Sequence, residues 1–212
     1  QWQRVSVLTH SGLADAVAPE IISASRSTDI PAFYTDWLLN RLAAGYVKWT
    51  NPFNQQPQYV SFERARVFVF WSKNPEPLVR RLEEVDRRKL AYYFQFTVND
   101  YESNGLEPSV PPLGERIATF RRLAQRIGRE RVIWRFDPLI LANDLTVTDL
   151  LARIEHVGDQ IAPYTERLVF SFADISPYRK VQANLARSGF QCRDFAPDEV
   201  TQAAEGIAAL CK

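Results

Sequence analysis

Apolar runs of this chain repeatedly end in charged, hydroxyl or amide residues, and those endings hold nearly every group able to do chemistry. Trp71-Ser72-Lys73-Asn74-Pro75 sets a lysine just past a buried-type strand, where it can bind an anion or, once desolvated, serve as base or Schiff-base former. The plainer reading lets Lys73 reach solvent. In Trp134-Arg135-Phe136-Asp137-Pro138, Arg135 and Asp137 lie two apart on a strand and so share a side. An ion pair there is weak evidence for stability, which argues that at least one member acts on a ligand. Asp174 ends a further run. Lys73, Asp137 and Asp174 are therefore the candidate catalytic groups. Ser25, Arg26, Thr28 and Asp29, in the turn between a strand and a helix, can hold a phosphate or carboxylate against free backbone N–H groups. Alternatively Thr28 or Asp29 only caps the helix, and Arg26 pairs with Asp29. Asn74, Gln95, Thr97 and Arg135 complete the candidate binding set, Gln95 and Thr97 sharing one strand face. In a parallel α/β protein such strand ends lie on one face, so the pattern describes one mouth lined from several strands.

The elements that must position these groups alternate strand with helix. Strands are expected at Val5 to Leu8, Ile21 to Ala24, Tyr46 to Trp49, Val67 to Trp71, Ala91 to Val98, Arg131 to Phe136 and Arg167 to Phe172. Helices are expected from Pro31 to Ala44, Pro77 to Arg88, Leu113 to Ile127, Thr148 to Ile161 and Tyr178 to Arg187. Gly45, Gly128 and Gly189 supply stops. Asn51 to Gln58 reads as a loop, and the aperiodic stretch from Asn99 to Pro112 as a lid or rim. The resulting expectation is a single α/β domain over residues 1–212: an incomplete, TIM-like parallel barrel of about six strands with helices outside.

With 212 residues, 46% hydrophobic and 24% charged, the composition is that of a globular chain. No apolar run approaches the ~20 residues of a membrane span. A net charge of +1 leaves little footprint for general nucleic-acid binding. Two histidines and two cysteines, Cys192 and Cys211, show no zinc spacing. No metal ligand is assigned, and a reducing cytoplasm is expected. Glycine-rich nucleotide fingerprints are absent as well. The chain has no methionine and ends at Lys212 within a helix-like segment, which reads as a fragment.

Together, the stretch Ile21 to Tyr34, Gly45-Tyr46-Val47, Asn51-Pro52-Phe53-Asn54, Phe70 to Pro75, Tyr93 to Thr97 and Val132 to Pro138 resemble the bacterial DUF1848 family. The resemblance covers nearly the whole chain from Ile21. It implies a relative of the radical S-adenosylmethionine barrels, distantly similar to spore photoproduct lyases, with S-adenosylmethionine held at the mouth and an iron–sulfur cluster on a cysteine-rich C-terminal segment. Cys192 and Cys211 do not match that segment, so the ligands would lie beyond Lys212. Three readings follow: a radical-type iron–sulfur enzyme; a cluster-free barrel hydrolase or lyase on an anionic small molecule, using Lys73 and the carboxylates; and a non-catalytic nucleic-acid binder stacking bases on Trp37, Trp49, Trp71 and Tyr101. Near-neutral charge disfavours the third. No reading sets the oligomeric state.

Overall fold

A computed structural model describes residues 2–25, 28–51 and 54–211. The chain divides into two units, Gln1–Phe96 and Thr97–Lys212. The first carries β1 (Gln3–Thr9), β2 (Gly12–Ala18), β3 (Ile21–Ser23), α1 (Ile30–Phe33), α2 (Thr35–Ala44), β4 (Tyr46–Thr50), β5 (Pro57–Ser61), β6 (Val67–Ser72), α3 (Glu76–Val79), α4 (Leu82–Asp86) and β7 (Ala91–Thr97), whose last residue opens the second unit. The second continues with α5 (Leu113–Ile127), β8 (Val132–Leu139), β9 (Leu141–Ala142), α6 (Val147–Ile161), β10 (Leu168–Phe172), α7 (Arg179–Arg187), β11 (Cys192–Arg193) and α8 (Pro197–Leu210).

The protein is a mixed α/β fold. Five strands form one sheet in the order β10-β8-β7-β6-β3, and its β3/β6, β6/β7 and β8/β10 pairs are parallel. The order is open, with β3 and β10 at its ends, so no closed barrel forms. The expected parallel sheet is present with five strands where about six were expected, and the difference has a physical reason. Val5 to Leu8 and Tyr46 to Trp49 join a different, four-stranded sheet, β1-β2-β5-β4, which is antiparallel except between β2 and β5. Its strands keep much of their length exposed or half-buried, and β1 alternates in burial from Ser6 to Thr9, whereas β6 is a nearly continuous apolar run, as a strand covered on both faces must be.

Local corrections have equally local causes. The expected loop Asn51 to Gln58 gives way to β5 at Pro57, because Gln58, Val60 and Tyr59 alternate against β4. The single helix expected from Pro31 to Ala44 breaks at Tyr34, whose φ of −133° leaves the helical region. That from Pro77 to Arg88 breaks at Arg81, φ −118°. Gly45 closes α2 at φ 76°, a left-handed conformation that favours glycine.

Phe68, Phe70, Phe94 and Phe96 are fully buried in the first unit, with Phe70 and Phe94 ring centroids 5.1 Å apart. In the second, Phe120, Leu123 and Ile127 of α5 and Ile154, Val157 and Ile161 of α6 are buried. Thr146 and Asp149 cap α6 reciprocally: the Asp149 N–H donates to Thr146 Oγ1 at 3.2 Å and the Thr146 N–H to Asp149 Oδ2 at 2.9 Å.

The start of α8 carries a pH dependence. Glu199 accepts from both Nη groups of Arg193, at 2.6 and 2.7 Å, and from the Ala196 N–H at 2.9 Å. These bonds, Arg193 first, lower its carboxyl from 4.5 to about 2. A depressed folded-state value contributes stability above the unfolded value and loses it as pH falls. Thermal melts are expected to hold level above pH 4.5 and fall between there and pH 2. Glu199→Gln is expected to flatten part of that slope.

Candidate functional site

Strand ends in each unit carry a cross-linked polar cluster. In the first, the Asp29 carboxylate is taken up by backbone: Oδ1 accepts from Ala32 N–H at 3.1 Å, making Asp29 the N-cap of α1, and Oδ2 accepts from Lys73 N–H at 2.8 Å. Ser25 Oγ accepts from the Trp71 N–H at 3.3 Å, and Ser72 Oγ from the Asn74 N–H at 2.9 Å. The turn after β3 is thereby stapled to the turn after β6. Ser25, Asp29, Lys73 and Asn74 lie along these two turns, with Asp29 serving the backbone of both. Thr28 is exposed and Asp29 is the cap, which decides between the two capping candidates. Arg26 lies outside the described residues.

In the second unit the pair foreseen on β8 is present. Arg135 donates to Asp137 Oδ2 through Nε at 3.1 Å and Nη2 at 2.8 Å. Both side chains are mostly covered, 13% and 11% exposed. The hydroxyl of Ser171, an exposed residue of β10, donates to the other oxygen, Asp137 Oδ1. Behind them, Asn99 brackets the Asp137 backbone. Its Oδ1 accepts from the Asp137 N–H at 2.9 Å, while Nδ2 donates to the Asp137 carbonyl at 3.2 Å and to Glu107 Oε1 at 3.0 Å.

A buried network lies deeper in the expected lid. Tyr101 donates to the Pro138 carbonyl at 2.9 Å and accepts from the Ile140 N–H at 3.3 Å; burial pushes its phenol well above the usual range. Arg116, 2% exposed, faces Glu107, 6% exposed, at 3.6 Å and donates from Nε to the Pro111 carbonyl at 2.9 Å. Burial pulls the guanidinium below its ordinary value, opposed by Glu107, then Glu102 and Asp100. The stretch from Asn99 to Pro112 is thus pinned at Asn99, Tyr101, Glu107 and Pro111.

Gln95 and Thr97 lie at the end of β7, half-buried and buried respectively. Asp174 follows β10, exposed and without a hydrogen bond among the described residues. The turn after β10 is held instead by Asp194, which follows β11 and accepts from Ile175 N–H at 2.7 Å and Ser176 N–H at 3.2 Å.

Sequence reasoning missed Ser171, Asn99 and Arg116. Strand parity could have found Ser171, although a register shift between Phe170 and Phe172 changes its partner. Helical spacing could have found Arg116, which lies four residues before Phe120 on the buried side of α5.

Cross-linked polar groups thus stand at the ends of parallel strands in this mixed α/β protein. The chain belongs to the DUF1848 family, whose model, described as a domain of unknown function, matches residues 21–212. Neither the curated proteins nor the solved structures gave a match.

The implied iron–sulfur cluster does not fit the donors present. Cys192 is half-buried on β11 and Cys211 exposed after α8, both as free thiols. Burial raises the Cys192 thiol, the opposite of what a thiolate ligand needs. Among the described residues, no three His, Cys, Asp or Glu side chains gather as for a metal ion. No described helix is long and apolar enough to cross a membrane.

Proposed function

We propose that the second unit carries the acid–base site of an enzyme with hydrolase or lyase chemistry, Asp137 being the proton acceptor and Ser171 the hydroxyl it activates. The observation carrying this reading is the exposed Ser171 hydroxyl donating to Asp137 Oδ1 while Arg135 occupies Oδ2. Arg135 holds one oxygen in place, and the other accepts from the Ser171 hydroxyl. The Ser171 proton passes to Oδ1 as Oγ forms its bond to an electrophilic carbon or phosphorus; the bond to the leaving group breaks with its electron pair on the leaving group, the proton on Oδ1 goes to the leaving group or solvent, and water then cleaves the Ser171 ester and restores the hydroxyl. Asn99 acts as a positioning residue, since both polar groups of the Asp137 backbone are tied to it. An incomplete barrel, curved around the strand ends, is the form this reading expects of the open sheet.

The family resemblance alone supports the radical S-adenosylmethionine reading, whose cluster would need thiolates other than Cys192 and Cys211.

The test uses p-nitrophenyl acetate and bis(p-nitrophenyl) phosphate as electrophilic probes. The parent protein is expected to release p-nitrophenolate from one of them. Asp137→Asn and Ser171→Ala, folded by circular dichroism, are expected to lose about 100-fold or more of that rate, the usual scale for removing acid–base assistance. Asp174→Asn is expected to keep it. No turnover of either probe, or turnover unchanged in Asp137→Asn, would overturn the proposal.

A further inference from the structure

The four-stranded sheet of the first unit carries a groove that the acid–base site does not use. Its volume is ≈ 310 Å³, at the lower end of ligand pockets, which span about 300–1,000 Å³. One wall is Trp49 of β4, 41% exposed. Register places Gln58 directly across from Trp49, so both side chains share a sheet face. Val17 pairs with both Val60 and Arg4, which carries that same face onward to Arg4 and Asp15. Asn51, Asn54 and Gln56 line the groove as well. Asn51 N–H donates to the Gln56 carbonyl at 3.0 Å, Gln55 N–H to the Asn51 carbonyl at 2.8 Å, and Gln56 N–H to Asn54 Oδ1 at 3.0 Å. Gln55 takes a positive φ of 57° to complete the turn.

The chemistry of this groove is an open indole beside carboxamides. Each carboxamide presents two donors and an acceptor in a plane, a match for paired hydroxyl groups. The Gln56 and Gln58 side chains make no hydrogen bond among the described residues. An indole face buries a flat array of C–H groups at little entropy cost. Charge narrows the ligand further. Among the lining residues Arg4 is the sole cation, and it donates from Nε to Asp15 Oδ2 at 2.6 Å. A phosphate backbone needs cations to replace its counterions, and here the one guanidinium is already neutralised. A neutral polyol asks for what the groove offers: an aromatic platform, uncharged planar hydrogen-bonding groups and no net charge.

We propose that this groove is a carbohydrate-binding site, with Trp49 stacking on a sugar ring and Gln58, Gln56 and Asn54 hydrogen-bonding its hydroxyls. Isothermal titration calorimetry of the 212-residue protein with cellohexaose, chitohexaose and laminarin tests this, with oligo(dT) as the anionic comparison. Binding of at least one glycan is expected, with no binding of oligo(dT). Trp49→Ala is expected to weaken the glycan at least tenfold and Gln58→Ala a few-fold. Both positions are on the exposed face of a paired strand, and circular dichroism confirms that each variant folds. Asp137→Asn is expected to bind the glycan like the parent, which separates failure of the groove from failure of the acid–base site. Absence of glycan binding, equal binding by Trp49→Ala, or binding of oligo(dT) instead would overturn the proposal.

Discussion

Replacing Arg116 with alanine is expected to cost about 3–5 kcal/mol of unfolding free energy in urea denaturation, the usual cost of stripping one member from a buried ion pair. Arg116 is among the largest fully buried side chains, and the opposing Glu107 carboxylate is itself 6% exposed. Without the guanidinium, the Glu107 side chain loses its ion-pair partner in a site with little water, where burying an unmatched polar group is costly. The Pro111 carbonyl also loses its Nε donor, loosening the entry to α5. A double replacement, Glu107→Leu with Arg116→Met, removes both charges and keeps the volume, so it is expected to recover most of the loss. If Arg116→Ala costs under ~1 kcal/mol, or the double variant is less stable than the single one, the pair is not the anchor described here.

Asn99→Ala is expected to be at least as severe, at about 3–9 kcal/mol, because three groups lose a partner and each costs ~1–3 kcal/mol. The Asp137 N–H loses its acceptor, and the Asp137 carbonyl and Glu107 Oε1 each lose a donor. This variant should also slow p-nitrophenolate release while leaving Asp137 and Ser171 in the chain, as expected of a residue that acts only by position. Asn99→Asp restores the acceptor but not the donor and sets a second carboxylate beside Glu107; it is expected to recover little. Asn99 and Arg116 share Glu107, so their effects should not add. A stable Asn99→Ala with unaltered kinetics would remove Asn99 from the positioning role.

The second unit was more legible in the sequence than the first. The Leu113 to Ile127 helix is observed with the expected bounds, since an amphipathic period ending in glycine leaves few alternatives. The Arg135 and Asp137 pair could be read from their spacing of two, which a strand converts into a shared side. Ser171 could not be paired with them from sequence, because contacts between strands far apart in the chain depend on register. The four-stranded sheet escaped for a similar reason: β2 is a short, alanine-rich run, Leu13 to Ala18, with none of the β-branched density that marks β6. Asp29 shows the opposite limit. Its type and place suggested a ligand, yet both oxygens are consumed by backbone N–H groups, one of them supplied by a residue 44 positions away.

The β1–β2 hairpin, residues 3–18, lies before the stretch that matches the family, which starts at residue 21. Yet β2 pairs with β5, which is inside that stretch, through Ala16 with Tyr59 and Val17 with Val60. The hairpin therefore acts as an edge guard. A chain cut back to Ile21 would keep β4 and β5 as a bare two-stranded ribbon, marginal on its own, with the backbone donors and acceptors of β5 open along one side. Such an edge recruits whatever extended chain is nearest, including another copy of itself.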